Sequence, residues 1–203
     1  MKKVFLLDNY DSFTYNVAQL LGKIGCNFLV RRPHETSLQE MESFFYSSDH
    51  LALHAHDSEM RIILSPGPMR PEDHPFLFEV LERFHGSARI LGICLGMQAI
   101  NKFFGGSIKK DDVPLHGKVS MIIHSGRGLF HGIKNPFQAA RYHSLLLDMI
   151  PDPLKVTAIT DDGKPMAFQH RIYPIFGVQF HPESFMTEHG EILLANFMNA
   201  GAE

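Results

Sequence analysis

Cysteine, long apolar runs and excess charge are all scarce in this chain. Its 203 residues hold two cysteines, and 19 Lys+Arg against 22 Asp+Glu leave a formal net charge of −3. Two cysteines cannot build a disulfide framework, and Cys26 and Cys94 are expected to stay as reduced thiols. No apolar run approaches the ~20 residues that cross a bilayer, so no membrane association is expected. The slight acidity gives no electrostatic footprint for a nucleic acid. Met1-Lys2-Lys3 followed by Val4-Phe5-Leu6-Leu7 opens like a secretory leader, but the apolar run is too short and ends at Asp8. A first strand and a cytoplasmic location are the expectation.

What is present is ordinary globular material, 44% hydrophobic and 20% charged, enough for one sizeable core and a single domain over residues 1–203. Among thirteen histidines, His50, His54 and His56 cluster in Tyr46–Ser58, a polar stretch without periodicity. It reads as a surface loop or insertion; with no cysteine and no regular ligand spacing, no metal is assigned to it. No motif for a metal or organic cofactor appears elsewhere. Cys26, in the strand-like Cys26–Arg31, reads as packing.

The first half alternates strand and helix. Strands are expected at Lys3–Leu7, Cys26–Arg31, Met60–Leu64 and Arg89–Ile93. Helices are expected after an N-cap at Ser12 with closure at Gly25, around Ser37–Phe45, and at Pro75–His85. That rhythm predicts a parallel sheet covered on both faces, with chemistry at the carboxyl ends of its strands. The second half carries short β-like runs, Val119–His124, Phe137–His143, Lys155–Ile159, Met166–Gln169 and Ile175–Phe180, and then a helix over Glu188–Asn199. A mixed or antiparallel extension of the sheet is expected there.

Gly92-Ile93-Cys94-Leu95-Gly96-Met97-Gln98 sits between a buried strand and a helix, with glycines two positions either side of Cys94. It is the thiol version of the Gly-x-Ser-x-Gly elbow, in which the following helix N-terminus favours the thiolate. A buried core cysteine at a tight turn is the alternative. A nucleophile needs a base, an orienter and an oxyanion hole. His181-Pro182-Glu183 follows the last expected strand, pairing a proton shuttle with a carboxylate two residues on. Ser65-Pro66-Gly67-Pro68 follows another strand and offers the Gly67 N–H, with the Leu95 N–H as second donor.

Asp8–Asn16, Ser65–Pro68, Gly92–Ile100, His116-Gly117-Lys118, Arg141–Leu145 and Gly177–Ser184 occur in that order. Together they resemble a class I glutamine amidotransferase with a Cys-His-Glu triad, and more narrowly the small glutaminase subunits of anthranilate synthase and aminodeoxychorismate synthase. The resemblance implies a three-layer α/β, flavodoxin-like fold with a mixed, mainly parallel central sheet. It implies Cys94 as nucleophile with His181 and Glu183 as base and orienter. It places Gly67, Pro68, Met69, Leu95, Gln98, Ser144 and Leu145 around L-glutamine, and makes Asp8–Asn16 and His116–Lys118 structural or subunit-facing. The implied activity is hydrolysis of L-glutamine through a thioester, with ammonia passed to a chorismate-binding synthase subunit.

Two departures from the family pattern stand out. Met69 replaces the usual second glycine of the glutamine loop; if that position needs positive φ, methionine is strained there. Tyr46–Ser58 is also longer than typical. A stand-alone cysteine hydrolase of γ-glutamyl compounds, or a catalytically silent binding subunit, are the other classes open to this sequence.

Overall fold

In a computed structural model the described residues are 2–46, 60–111 and 117–199. The chain runs β1 (Lys3–Leu7), α1 (Thr14–Lys23), β2 (Asn27–Arg31), α2 (Leu38–Tyr46), β3 (Met60–Leu64), α3 (Pro75–Phe84), β4 (Ala88–Ile93) and α4 (Leu95–Phe103). It continues with β5 (Ile108–Lys110), β6 (Lys118–His124), β7 (Phe137–Arg141), β8 (Leu145–Leu147), β9 (Leu154–Thr160), β10 (Pro165–His170), β11 (Ile175–Val178) and α5 (Gly190–Asn199).

Among the described residues nine strands form one sheet in the order β2-β1-β3-β4-β11-β10-β9-β6-β7. The pairs from β2 across to β11 are parallel, and the remaining four are antiparallel. Only β10 and β6 therefore run against the rest, which is the mixed, mainly parallel sheet expected. Every residue of β3 and β4 is buried, because helices cover both faces and no polar side is needed.

Alternation in β1 divides the core. Val4 and Leu6 face a layer holding Val17 and Leu21 of α1 with Leu193, Leu194 and Phe197 of α5. Phe5 and Leu7 face the other layer, with Met41 of α2, Leu77, Val80 and Phe84 of α3, and Met97 and Ile100 of α4. Two helical layers sandwiching a sheet follow from these two stripes.

Three local expectations differ from the structure. Ser12 does not cap α1. The helix begins one residue later, and the turn is closed by carboxylates: Asp11 accepts from the Phe13 N–H (2.8 Å) and Asp8 from the Thr14 hydroxyl (2.8 Å). Charged acceptors outcompete a serine hydroxyl for those donors. The run Ile175–Phe180 leaves the sheet after Val178, since the Cys94 N–H takes the Val178 carbonyl (2.8 Å) and the Gln179 N–H takes Met166 (2.9 Å). The ribbon of β5 and β8 was not legible as strand, because two three-residue segments carry too little period to read. The histidine cluster, nearly all of Tyr46–Ser58, and His116 lie outside the described residues.

Candidate active site

The parallel strands end at one edge, and their carboxyl ends gather the candidate residues. Asp8 and Asn9 follow β1, Ser65–Met69 follow β3, Cys94 follows β4, and Gln179–Glu183 follow β11. Ser144 and Leu145 arrive from the β7–β8 connection.

Cys94 has φ +52° and ψ −101°, a conformation an L side chain rarely adopts, and it directly precedes the first turn of α4. The tightness of the turn explains both flanking glycines. A Cβ on Gly92 would strike the Gly96 backbone, and one on Gly96 would strike the Leu64 carbonyl and come within 2.8 Å of the Leu64 Cβ. The elbow predicted from spacing is therefore a close contact between strand end and helix start. Cys94 is 7% exposed and stands at the positive end of the α4 dipole. Cys26 is half-buried in the layer beneath α1 and takes no part.

His181 and Glu183 are both buried, and Nδ1 of His181 lies 2.6 Å from Glu183 Oε1. A carboxylate only accepts, so Nδ1 carries the donated proton and Nε2 is left for a second partner. Nε2 has no hydrogen bond of standard geometry among the described residues, yet the Cys94 thiol acts on the ring. Burial works against a charged imidazole, but attraction to Cys94 and then to Glu183 outweighs it, and His181 titrates well above 6.5. Tyr142 sets its ring edge-on to His181 at 5.1 Å, and its hydroxyl is 3.4 Å from Ser184 Oγ.

Gly67 comes from the loop after β3, where a Cβ would sit 2.5 Å from Leu95 Cδ2 and 2.7 Å from the Asn9 carbonyl. The two proposed oxyanion donors thus lie on a loop and a helix start that touch. The loop is anchored from β1: the Asn9 N–H donates to Ser65 Oγ (2.8 Å) and the Asn9 amide to the Ser65 carbonyl (3.0 Å). The Pro68 carbonyl accepts from His74 Nε2 (2.9 Å). Met69 has φ +66° and is 70% exposed, so the glycine-type conformation is kept with a side chain that pays for it in strain.

Gln98, one turn past Cys94, is buried and donates to the Leu145 carbonyl (3.2 Å) and to Gln179 Oε1 (3.2 Å). Ser144 is exposed, and its carbonyl accepts from the Asp111 N–H (2.8 Å). The same segment is held by Arg141, which donates to His143 Nε2 (3.1 Å) and Ser120 Oγ (3.2 Å) and lies 3.5 Å from Asp111. Lys164 completes the cluster at 2.9 Å from Asp111. Burial first, then the Arg141 and His181 charges, push His143 down to about 3, so it stays a neutral acceptor beside the triad.

Four residues inside the motif stretches carry contacts that the sequence did not assign to them individually. Asn9 anchors the Gly67 loop, Arg141 with His143 fixes the Ser144–Leu145 segment, and Gln179 places its Nε2 3.5 Å from Cys94 Sγ. Gln179 carried a signal: a polar residue inside the apolar run Val178-Gln179-Phe180 is the informative exception. A cavity bordered by Phe13, Tyr142, His181 and Glu183, though not by Cys94, measures about 30 Å³. A far larger hollow of about 690 Å³, bordered by Arg127, Lys155 and Arg171, touches none of the candidate residues.

Comparison with known proteins points the same way. Residues 5–200 match the model of the family described as "Glutamine amidotransferase class-I". The chain is 40% identical to aminodeoxychorismate synthase component 2 of Klebsiella aerogenes, over 97% of this chain and 99% of that protein. It is 42% identical to anthranilate synthase component 2 of Thermus thermophilus, over 97% and 91%. It is also 43% identical to the bifunctional protein TrpGD of Thermotoga maritima over 98% of this chain, and spans 32% of that longer protein. In fold it is similar to the crystal structure of a glutamine amidotransferase from Thermotoga maritima, with TM-score 0.72 and 15% identity over 98% and 99% of the two chains. With a cysteine elbow and a histidine–glutamate pair meeting at one sheet edge and the family match spanning nearly its whole length, the chain belongs to the class-I glutamine amidotransferases.

Proposed function

We propose that this enzyme hydrolyses L-glutamine at Cys94 and delivers the ammonia to a chorismate-binding synthase subunit, as component 2 of an anthranilate synthase. The observation that carries the chemistry is the strained Cys94 turn at the α4 N-terminus beside the 2.6 Å His181–Glu183 pair. Cys94 as thiolate attacks the side-chain carboxamide carbon. The oxyanion that forms is held by the N–H groups of Leu95 and Gly67. His181, already inclined to carry a proton, gives it to the leaving nitrogen as the C–N bond breaks, and ammonia departs. The neutral ring then takes a proton from water, which attacks the thioester; glutamate leaves and the thiolate returns. Glu183 orients the ring throughout. Gln98, Ser144 and Leu145 border the substrate, with Pro68 and Met69 completing the loop beside it.

Delivery to an aminodeoxychorismate synthase is the second reading, supported by the 40% identity to such a component 2 over nearly its full length. One assay tests the proposal. With a synthase component 1 from either branch and chorismate, Cys94→Ala is expected to lose glutamine-dependent product while added ammonium still supports it. Full glutamine-dependent activity in the variant would end the proposal, and the component 1 that yields product from glutamine identifies the branch.

A further inference from the structure

Gln179 has no task in the scheme above, yet it is fully buried against the nucleophile. Its Nε2 lies 3.5 Å from Cys94 Sγ and its Oε1 3.2 Å from Gln98 Nε2, while Gln98 Nε2 is also 3.2 Å from the Leu145 carbonyl. These three contacts fix the orientation of both amides. A backbone carbonyl only accepts, so the Gln98 group facing Leu145 is its –NH2. That same –NH2 faces Gln179, so the Gln179 atom there is the oxygen, and the Gln179 –NH2 is turned to sulfur. Flipping Gln98 would oppose two carbonyl oxygens. Flipping Gln179 would oppose two –NH2 groups and set an oxygen against the sulfur.

We propose that Gln179 is a thiolate-holding residue: its carboxamide, locked by Gln98 and Leu145, donates a hydrogen bond to the Cys94 sulfur and favours the ionised nucleophile. The proposal rests on Cys94 being the attacking group. A neutral thiol is a weak acceptor, whereas a hydrogen bond to a charged one is roughly twice as strong as a neutral pair. The contact therefore discriminates between the two protonation states. The titratable groups beside the sulfur are His181 and, behind it, Glu183, with Asp11 and His143 coupled to His181. None of them changes in the variants below. A glutamine that merely fills space would also be buried here, so the test reads charge and not volume.

The experiment is the pH dependence of Cys94 alkylation by iodoacetamide, read by peptide mass spectrometry so that Cys26 is counted separately. Gln179→Met keeps the volume and removes the donor. Its midpoint is expected to rise by about one pH unit, the size of one charge-assisted hydrogen bond. Its plateau rate at high pH is expected to rise about 3-fold, because a less stabilised thiolate is more nucleophilic, while the rate below both midpoints falls about 3-fold. Gln179→Leu, likewise close to glutamine in volume and without a donor, is expected to move the midpoint by the same amount. A packing role would leave both variants at the wild-type midpoint. A midpoint unmoved in Gln179→Met overturns the proposal; should the Met variant fail to fold, the Leu variant decides by the same reading. An unmoved midpoint would leave the glutaminase reading intact, whereas glutamine-dependent activity in Cys94→Ala would remove that reading by itself.

Discussion

At the scale of single residues, the site is a set of groups whose protonation is decided by burial and neighbours. His181 holds its proton more tightly than a free imidazole because the Cys94 sulfur and the Glu183 carboxylate outweigh its burial. A group whose folded value is raised adds stability that is complete below its unfolded value, about 6.5, and is lost as pH climbs through the folded one. Glu183→Gln removes one of the two attractions. The His181 titration followed by NMR is expected to move down in the variant, and kcat to fall by roughly 10²–10⁴-fold. The stability gap between wild type and variant in urea melts is expected to be wider at pH 6 than at pH 9. A kcat equal to wild type would take the orienting role away from Glu183.

Between elements, the proposed chemistry rests on how closely the ends of β1, β3 and β4 approach. The Gly67 position touches Leu95 on one side and Asn9 on the other. Gly67→Val must displace the start of α4 or the anchor on Asn9, and thioester formation is expected to slow by about 10²–10³-fold in rapid-mixing experiments. Met69, two residues on, behaves differently. Its positive φ costs roughly 1–2 kcal/mol for an L side chain, whereas glycine there would lose roughly 0.5–1 kcal/mol of chain entropy on folding. The two effects offset in part, so Met69→Gly is expected to raise Tm by no more than about 4 °C. An acylation rate unchanged in Gly67→Val would remove that loop from the site.

For the molecule as a whole, the proposed activity is that of one component of two, since relatives matched over nearly their full length are named as synthase component 2. A partner that rearranged the Gly67 loop would need only ~3 kcal/mol of preference for the competent arrangement to raise the active fraction about a hundredfold. Steady-state glutamine hydrolysis is therefore expected to rise on the order of a hundredfold when synthase component 1 and chorismate are added to the purified chain. Vigorous hydrolysis by the chain alone, unchanged by the partner, would favour a stand-alone hydrolase.

The sequence by itself determined the pieces whose physics is local. The Gly92–Gly96 elbow, the His181-Pro182-Glu183 spacing, the Pro-Gly loop and the alternation of strand and helix are all set by neighbours a few positions apart. Those patterns were enough for the layered fold and for the family. Tertiary structure alone decided what meets across the sheet edge. Gln179 reaches Cys94 from 85 positions away because β11 inserts beside β4. Asn9 reaches the Gly67 loop because β1 pairs with β3, and Arg141 holds His143 beside His181 because the His181 N–H donates to the Ala140 carbonyl near the end of β7 (3.0 Å). Strand order is a property of the whole chain's burial, and no window of sequence contains it.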